Sequence, residues 1–107
     1  MGKSLNIYGQ KVDIVEEDLT RANLAGYYYL ESKKITICKH QDKDQKKRTL
    51  IHEFIHAVCH IQGWNQTALT NDLQELICEH FSNALCDNFD IKIKKRAPGK
   101  PKARKKK

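Results

Sequence analysis

The chain has 107 residues, four cysteines and a formal net charge of +7. That length holds one small domain with a modest core, which a bound metal would help to stabilise. Met1-Gly2-Lys3-Ser4 opens no apolar leader and no later stretch is apolar enough to cross a membrane, so a protein of the reducing cytoplasm is expected. Cys38, Cys59, Cys78 and Cys86 form no C-x-x-C pair, which excludes a zinc ribbon and points to free thiols. The charge is divided unevenly. Residues 1–91 carry a net −3, and residues 92–107 carry ten Lys and Arg and no acid. We therefore divide the chain into a globular domain, 1–91, and a disordered basic tail, 92–107.

In chain order, Leu5-Asn6-Ile7 and Val12-Asp13-Ile14 alternate about Tyr8-Gly9-Gln10-Lys11, which predicts a hairpin over 4–15 with a type II′ turn. Residues 16–25 read as a loop or one helical turn that Asp18 or Thr20 caps. Gly26 then opens an aromatic strand, Tyr27 to Leu30, and Ile35 to Cys38 returns as its β-branched partner. Asp42 and Asp44 are candidate N-caps for a helix from about 44 to Gln62, with Gly63 as its stop. Trp64 to Thr67 reads as a loop. Thr70 caps a second helix over 71–88, in which Leu73, Leu76, Ile77, His80, Phe81 and Ala84 form the apolar stripe.

The first helix contains His52-Glu53-Phe54-Ile55-His56, an H-E-x-x-H pattern. Positions i and i+4 of a helix share a face, so both imidazoles can turn to one Zn²⁺. Glu53, next to the first histidine, is placed to act as general base rather than ligand. Leu50, Ile51, Phe54, Ile55, Val58 and Ile61 recur at helical spacing around the motif, as a packed helix requires. His60 lies one i+4 step further, too far along the axis to share the ion with His52. It reads as a helix-end histidine that the macrodipole favours, and His40 as a surface residue. A catalytic zinc needs a third protein ligand. The second helix offers Glu75, Glu79 and His80. Periodicity leaves the choice open: His80 lies on the apolar stripe, and both glutamates lie nearer the opposite side.

These residues resemble the ImmA/IrrE family of zinc metallopeptidases, in particular its short phage and prophage members. The similarity runs over about residues 4–88. It rests on the hairpin with Gly9, Gly26 and its aromatic strand, Lys33-Lys34-Ile35-Thr36-Ile37, Thr49 to Ala57, and Leu69 to Cys78 ending in Asp87-Asn88. It implies an α+β zincin-like domain: a small antiparallel sheet on the H-E-x-x-H helix, with a second helix that supplies a glutamate ligand. Glu75, before Leu76-Ile77-Cys78, matches the family's position. The ligand set so implied is His52, His56 and Glu75, with Glu53 as base. A phage-encoded, monomeric and selective peptidase in a bacterial cytoplasm is expected, with a protein or peptide as substrate. The chain lacks the Glu-Ala-Asn-type segment and the Leu-Leu-Met-Pro-like ending of longer members, and it carries a basic tail in place of their effector domains.

In this reading the strand at 35–38 is a sheet edge that aligns a peptide, and Tyr27, Tyr28, Tyr29 and His60 are the candidates for an oxyanion donor. A second reading is a catalytically idle, metal-stabilised module. Its function would lie in Lys92, Lys94, Lys95, Arg96, Lys100, Lys102, Arg104, Lys105, Lys106 and Lys107, binding nucleic acid or an acidic protein.

Overall fold

Two hairpins precede two helices in the computed structural model, which describes residues 3–64 and 69–94. The elements are β1 (Lys3–Ile7), β2 (Gln10–Glu17), β3 (Gly26–Tyr29), β4 (Lys34–Cys38), α1 (Lys43–Ile61) and α2 (Asn71–Asn88). The sheet and the two helices make an α+β fold.

The β1–β2 hairpin closes on Ile7 and Gln10. Tyr8 (φ 51°) and Gly9 (φ 86°) both take left-handed backbone angles, which makes the turn type I′ rather than the expected II′. The Asn6 side chain supports it by accepting the Gly9 N–H at 2.7 Å. Residues 18–24 form a turn rather than a helix. Asp18 accepts the Thr20 N–H at 3.0 Å, and Leu19 is buried beneath.

The strand order is β1-β2-β4-β3. Each hairpin is antiparallel, but β2 and β4 pair in parallel, Ile14 beside Ile35 and Glu16 beside Ile37. The sheet is therefore mixed, where an antiparallel one was expected. The reason lies in β4. Ile35, Thr36, Ile37 and Cys38 are all buried, the continuous burial of an interior strand. Consequently 35–38 is no edge. The edge beside α1 is β3, where Tyr27 and Tyr29 stay half exposed and only Tyr28 turns inward.

One face of the sheet carries Ile7, Val12, Ile14, Tyr28, Ile35 and Ile37, and α1 lies on it through Ala57, Leu50, Phe54, Val58 and Ile61. Ile93 joins this core from within the segment read as tail. Lys95, Arg96, Lys100, Lys102, Arg104, Lys105, Lys106 and Lys107 lie outside the described residues, as do Asn65, Gln66 and Thr67, where a loop was expected.

Both helix starts follow the sequence. Asp42 accepts the Gln45 N–H at 2.8 Å, and Thr70 Oγ1 accepts that of Leu73 at 3.1 Å. Gly63 (φ 75°) follows the end of α1 in the left-handed conformation expected of a stop. The two helices are clamped by Arg48, which reaches Asp44 at 2.8 Å, Asp87 at 2.7 Å and the Asn83 side-chain oxygen at 3.0 Å.

The orientation of α2 differs from the hydropathy pattern. Its inner line is Gln74, Cys78 and Ser82, all buried, whereas Leu73, Leu76 and Phe81 are 44–57% exposed. The apolar stripe thus faces solvent, and the side that carries Glu75 and Glu79 faces the motif helix. All four cysteines are free, three of them buried. No helix among the described residues is long and apolar enough to cross a membrane.

Candidate metal centre

On α1, Thr49, Glu53 and Ala57 recur every fourth residue and are the line buried against the sheet. His52 and His56 stand one step around, in the seam between α1 and α2, with side chains 21% and 15% exposed. Their ring centroids are 5.1 Å apart. The four-residue spacing therefore brings the two imidazoles together.

Glu75 comes from the first turns of α2. One carboxylate oxygen lies 3.1 Å from His56 Nε2 and the other 3.6 Å from His52 Nε2. A single carboxylate thus faces the same nitrogen of both rings. Glu79, one turn further, lies on the other side of His52, 3.8 Å from Nδ1. His80 is exposed and is not among the residues that line this cavity. Of the three alternatives left open by periodicity, only Glu75 is shared between the two Nε2 atoms.

Two residues here escaped the sequence reading. Gln74 is 3% exposed, and its Oε1 lies 2.7 Å from His56 Nδ1. It accepts the Nδ1 proton, fixing the tautomer that leaves Nε2 free to donate its lone pair. Cys78 is fully buried, and its Sγ and one ring nitrogen each of His52 and His56 all lie within 4.8 Å of one another. Both residues sit on the inner line of α2 with Ser82. The readable signal was the four-residue spacing of Gln74, Cys78 and Ser82, which puts them on one face, had α2 been turned to face α1.

The electrostatics suit cation binding. Burial, then His56, lowers the His52 pKa against the pull of Glu75 and Glu79, so its ring is neutral and its lone pair available at pH 7. Glu53 is 8% exposed, and burial is the main reason its carboxyl is pushed up to about 7, with His56 opposing and Glu75 adding to the rise. A carboxyl poised there can hold or release a proton near neutrality. Burial, helped by Cys59, Glu75 and Glu53, pushes the Cys78 thiol up to about 12, which excludes it as a free nucleophile at pH 7. The imidazoles of His52 and His56 lie with the Cys78 thiol in one cluster of atoms within 4.8 Å, and the Glu75 carboxylate faces their Nε2 atoms; these are donors of the kinds that Zn²⁺ takes.

An open cavity of about 570 Å³ lies over these groups, walled by Leu24 to Tyr28 on one side and by α2 residues from Asn71 to Asn83 on the other. Tyr27, Tyr28 and His60 line it, and Tyr29 does not; Tyr29 packs edge-on against Tyr27 instead. His60 stands in the last turn of α1, its ring 5.9 Å from that of Tyr28, and burial, then His56, keeps its pKa below the ordinary value. His40 is on the surface, 3.4 Å from Asp18.

Gly26 lets β3 approach α1 closely. A Cβ there would stand 2.6 Å from Thr49 Cγ2, 3.0 Å from the Thr36 carbonyl oxygen and 3.4 Å from Glu53 Cγ. Gly26→Ala should cost about 1–3 kcal/mol through overpacking, read as a fall in Tm, and should displace Glu53. An unchanged Tm would show that the strand and helix can separate freely.

No curated protein and no solved structure matches the chain significantly. The sequence model of the IrrE N-terminal-like domain, Peptidase_M78, matches residues 9–98. That span takes in β2 to α2 and every residue of the centre, and the chain belongs to the Peptidase_M78 family.

Proposed function

We propose that the chain is a zinc-dependent endopeptidase in which His52, His56 and Glu75 hold the metal and Glu53 is the general base. The observation that carries this reading is the Glu75 carboxylate facing the Nε2 atoms of both motif histidines, with Gln74 engaged on Nδ1 of one of them. Bound Zn²⁺ supplies a Lewis acid that acidifies water and polarises a carbonyl. The protein groups do the rest. Gln74 orients His56. Glu53 accepts a proton from the attacking water and returns it to the leaving amine. The walls of the cavity exclude bulk water from one side.

The edge strand β3 borders the cavity with its outer main-chain groups facing away from β4. An extended peptide added to that edge would run past the histidines, so β3 takes the aligning role expected of 35–38. Tyr27, Tyr28 and His60 remain the candidates for stabilising the oxyanion. The substrate class is a protein or peptide.

Elemental analysis of protein purified without chelator tests the ligand set. The wild type should carry one zinc per chain, the His52→Ala/His56→Ala double variant none, and Glu79→Gln the wild-type amount. Glu75→Gln should lose zinc to a competing chelator sooner than Glu79→Gln does. Equal zinc in the wild type and the double variant would overturn the assignment.

We also propose a role for the basic segment, favoured by its ten cations without an acid from residue 92 onward. Such a segment binds nucleic acid through phosphates, with a steep salt dependence and little sequence preference. Because Ile93 packs on the core, the informative truncation ends after Lys94. It should abolish DNA binding at low salt and leave the Tm unchanged. DNA binding equal to that of the full chain would refute the role.

A further inference from the structure

The inner line of α2 brings a sulfur to a site that the proposed reading fills with nitrogen and oxygen. Cys78 lies three residues after Glu75 and four after Gln74, so one face of one helix carries all three side chains toward α1. Gln74 already touches His56. The Cys78 Sγ shares a cluster no wider than 4.8 Å with a ring nitrogen of each motif histidine. The two acceptors on this face differ in placement. The Glu75 side chain reaches in from the rim and is 63% exposed, whereas Cys78 is fully buried. A cation held by the cluster of His52, His56 and Cys78 would have the thiol on its buried side, and the Glu75 carboxylate, outside that cluster, reaches the two rings from the solvent side.

Zinc binds imidazole, carboxylate and thiolate alike, and its coordination number decides what a site can do. Three protein ligands leave a position open to water or substrate. Four close the tetrahedron, as in structural sites.

We propose that Cys78 is a fourth ligand of the metal held by His52, His56 and Glu75, and that its thiolate closes the site in the resting chain. The inference rests on the peptidase reading and adds a latent form to it. On closing, the Sγ–H bond breaks, the proton leaves to solvent, and Sγ donates an electron pair to the ion. On opening, Sγ regains a proton and stays in the core as a neutral thiol, while the position it leaves admits water. No oxidant or reductant enters. Such a chain holds its metal tightly and hydrolyses slowly until the thiolate leaves, in keeping with a selective rather than a general protease.

The test uses the full chain loaded with Co²⁺ and, separately, with Zn²⁺. Wild-type cobalt protein should show a sulfur-to-cobalt charge-transfer band in the near ultraviolet. Cys78→Ser should lose that band completely, and Cys59→Ser, which removes the other buried thiol of this region, should keep it. X-ray absorption at the zinc edge of the wild type needs no variant, and should show one sulfur at about 2.3 Å beside nitrogen and oxygen at about 2.0–2.1 Å. Cobalt bound through the two histidines with visible ligand-field bands but no sulfur band, or a zinc shell without sulfur, would overturn the role of Cys78 and leave the peptidase reading standing. A sulfur band that survives Cys78→Ser would overturn it equally. Failure of the wild type to bind either metal would overturn both.

Discussion

Glu53→Gln should lower peptide hydrolysis by about 10²–10⁴-fold while zinc content and fold are retained. The expectation follows from position. The Glu53 side chain lies on the buried line of α1 between Thr49 and Ala57, next to His52 in sequence and beside the seam that holds the imidazoles. Gln keeps the shape and can still hydrogen-bond, but it cannot take a proton from water. A purely structural metal site would tolerate the change. The natural substrate is best sought without presupposing it. Wild type and Glu53→Gln are expressed in the same cells, and new protein N-termini are compared. Termini that appear only with the wild type identify the substrate. Identical profiles, with zinc bound in both proteins, would refute catalysis by Glu53.

The same substitution should stabilise the metal-free protein at alkaline pH. Burial raises the Glu53 carboxyl from 4.5 to about 7. A carboxyl whose folded pKa is raised contributes stability that is fully present below its unfolded value and is lost as pH rises through its folded value. A shift of this size corresponds to about 3 kcal/mol. In chelator, wild type and Glu53→Gln should therefore have similar urea midpoints below about pH 4.5 and diverge between there and about pH 7. Above that window the variant should be the more stable by up to about 3 kcal/mol. Adding Zn²⁺ should shrink the gap, because a cation beside Glu53 favours its charged form. Parallel profiles in chelator at all pH values would show that Glu53 is solvated in the metal-free fold.

Much of the frame was legible because local chemistry dictates it. Asp42 and Thr70 are caps in sequence and in structure, Gly63 takes the conformation a helix stop needs, and the spacing of His52 and His56 translates directly into adjacent rings. Glu75 was reached through family resemblance against the direction of periodicity; in the structure its carboxylate faces the Nε2 atoms of both motif histidines. The illegible parts depend on partners that the sequence does not name. β4 reads equally well as an edge or a centre until β2 is known to lie beside it. The hairpin turn departs from type II′ at Tyr8, a residue with no intrinsic preference for positive φ, because the Asn6 side chain and strand twist decide it. Gln74 and Cys78 were invisible because a buried glutamine and a cysteine carry no signal apart from the imidazoles they face.

The orientation of α2 reverses the usual ranking of substitutions along a helix. Leu73, Leu76 and Phe81 have their greater exposure to water, so exchanging them for polar residues removes little packing and lessens the tendency of the surface to stick. Gln74 and Ser82 look, by hydropathy, like flaws that leucine would repair. Leucine at 74 would instead leave the His56 Nδ1 proton without its acceptor, and leucine at 82 would force a larger side chain into the seam between the helices. A redesign of this helix for apolar burial at 74 and 82 would leave its exposed side as it is and disturb the seam in which His52 and His56 lie.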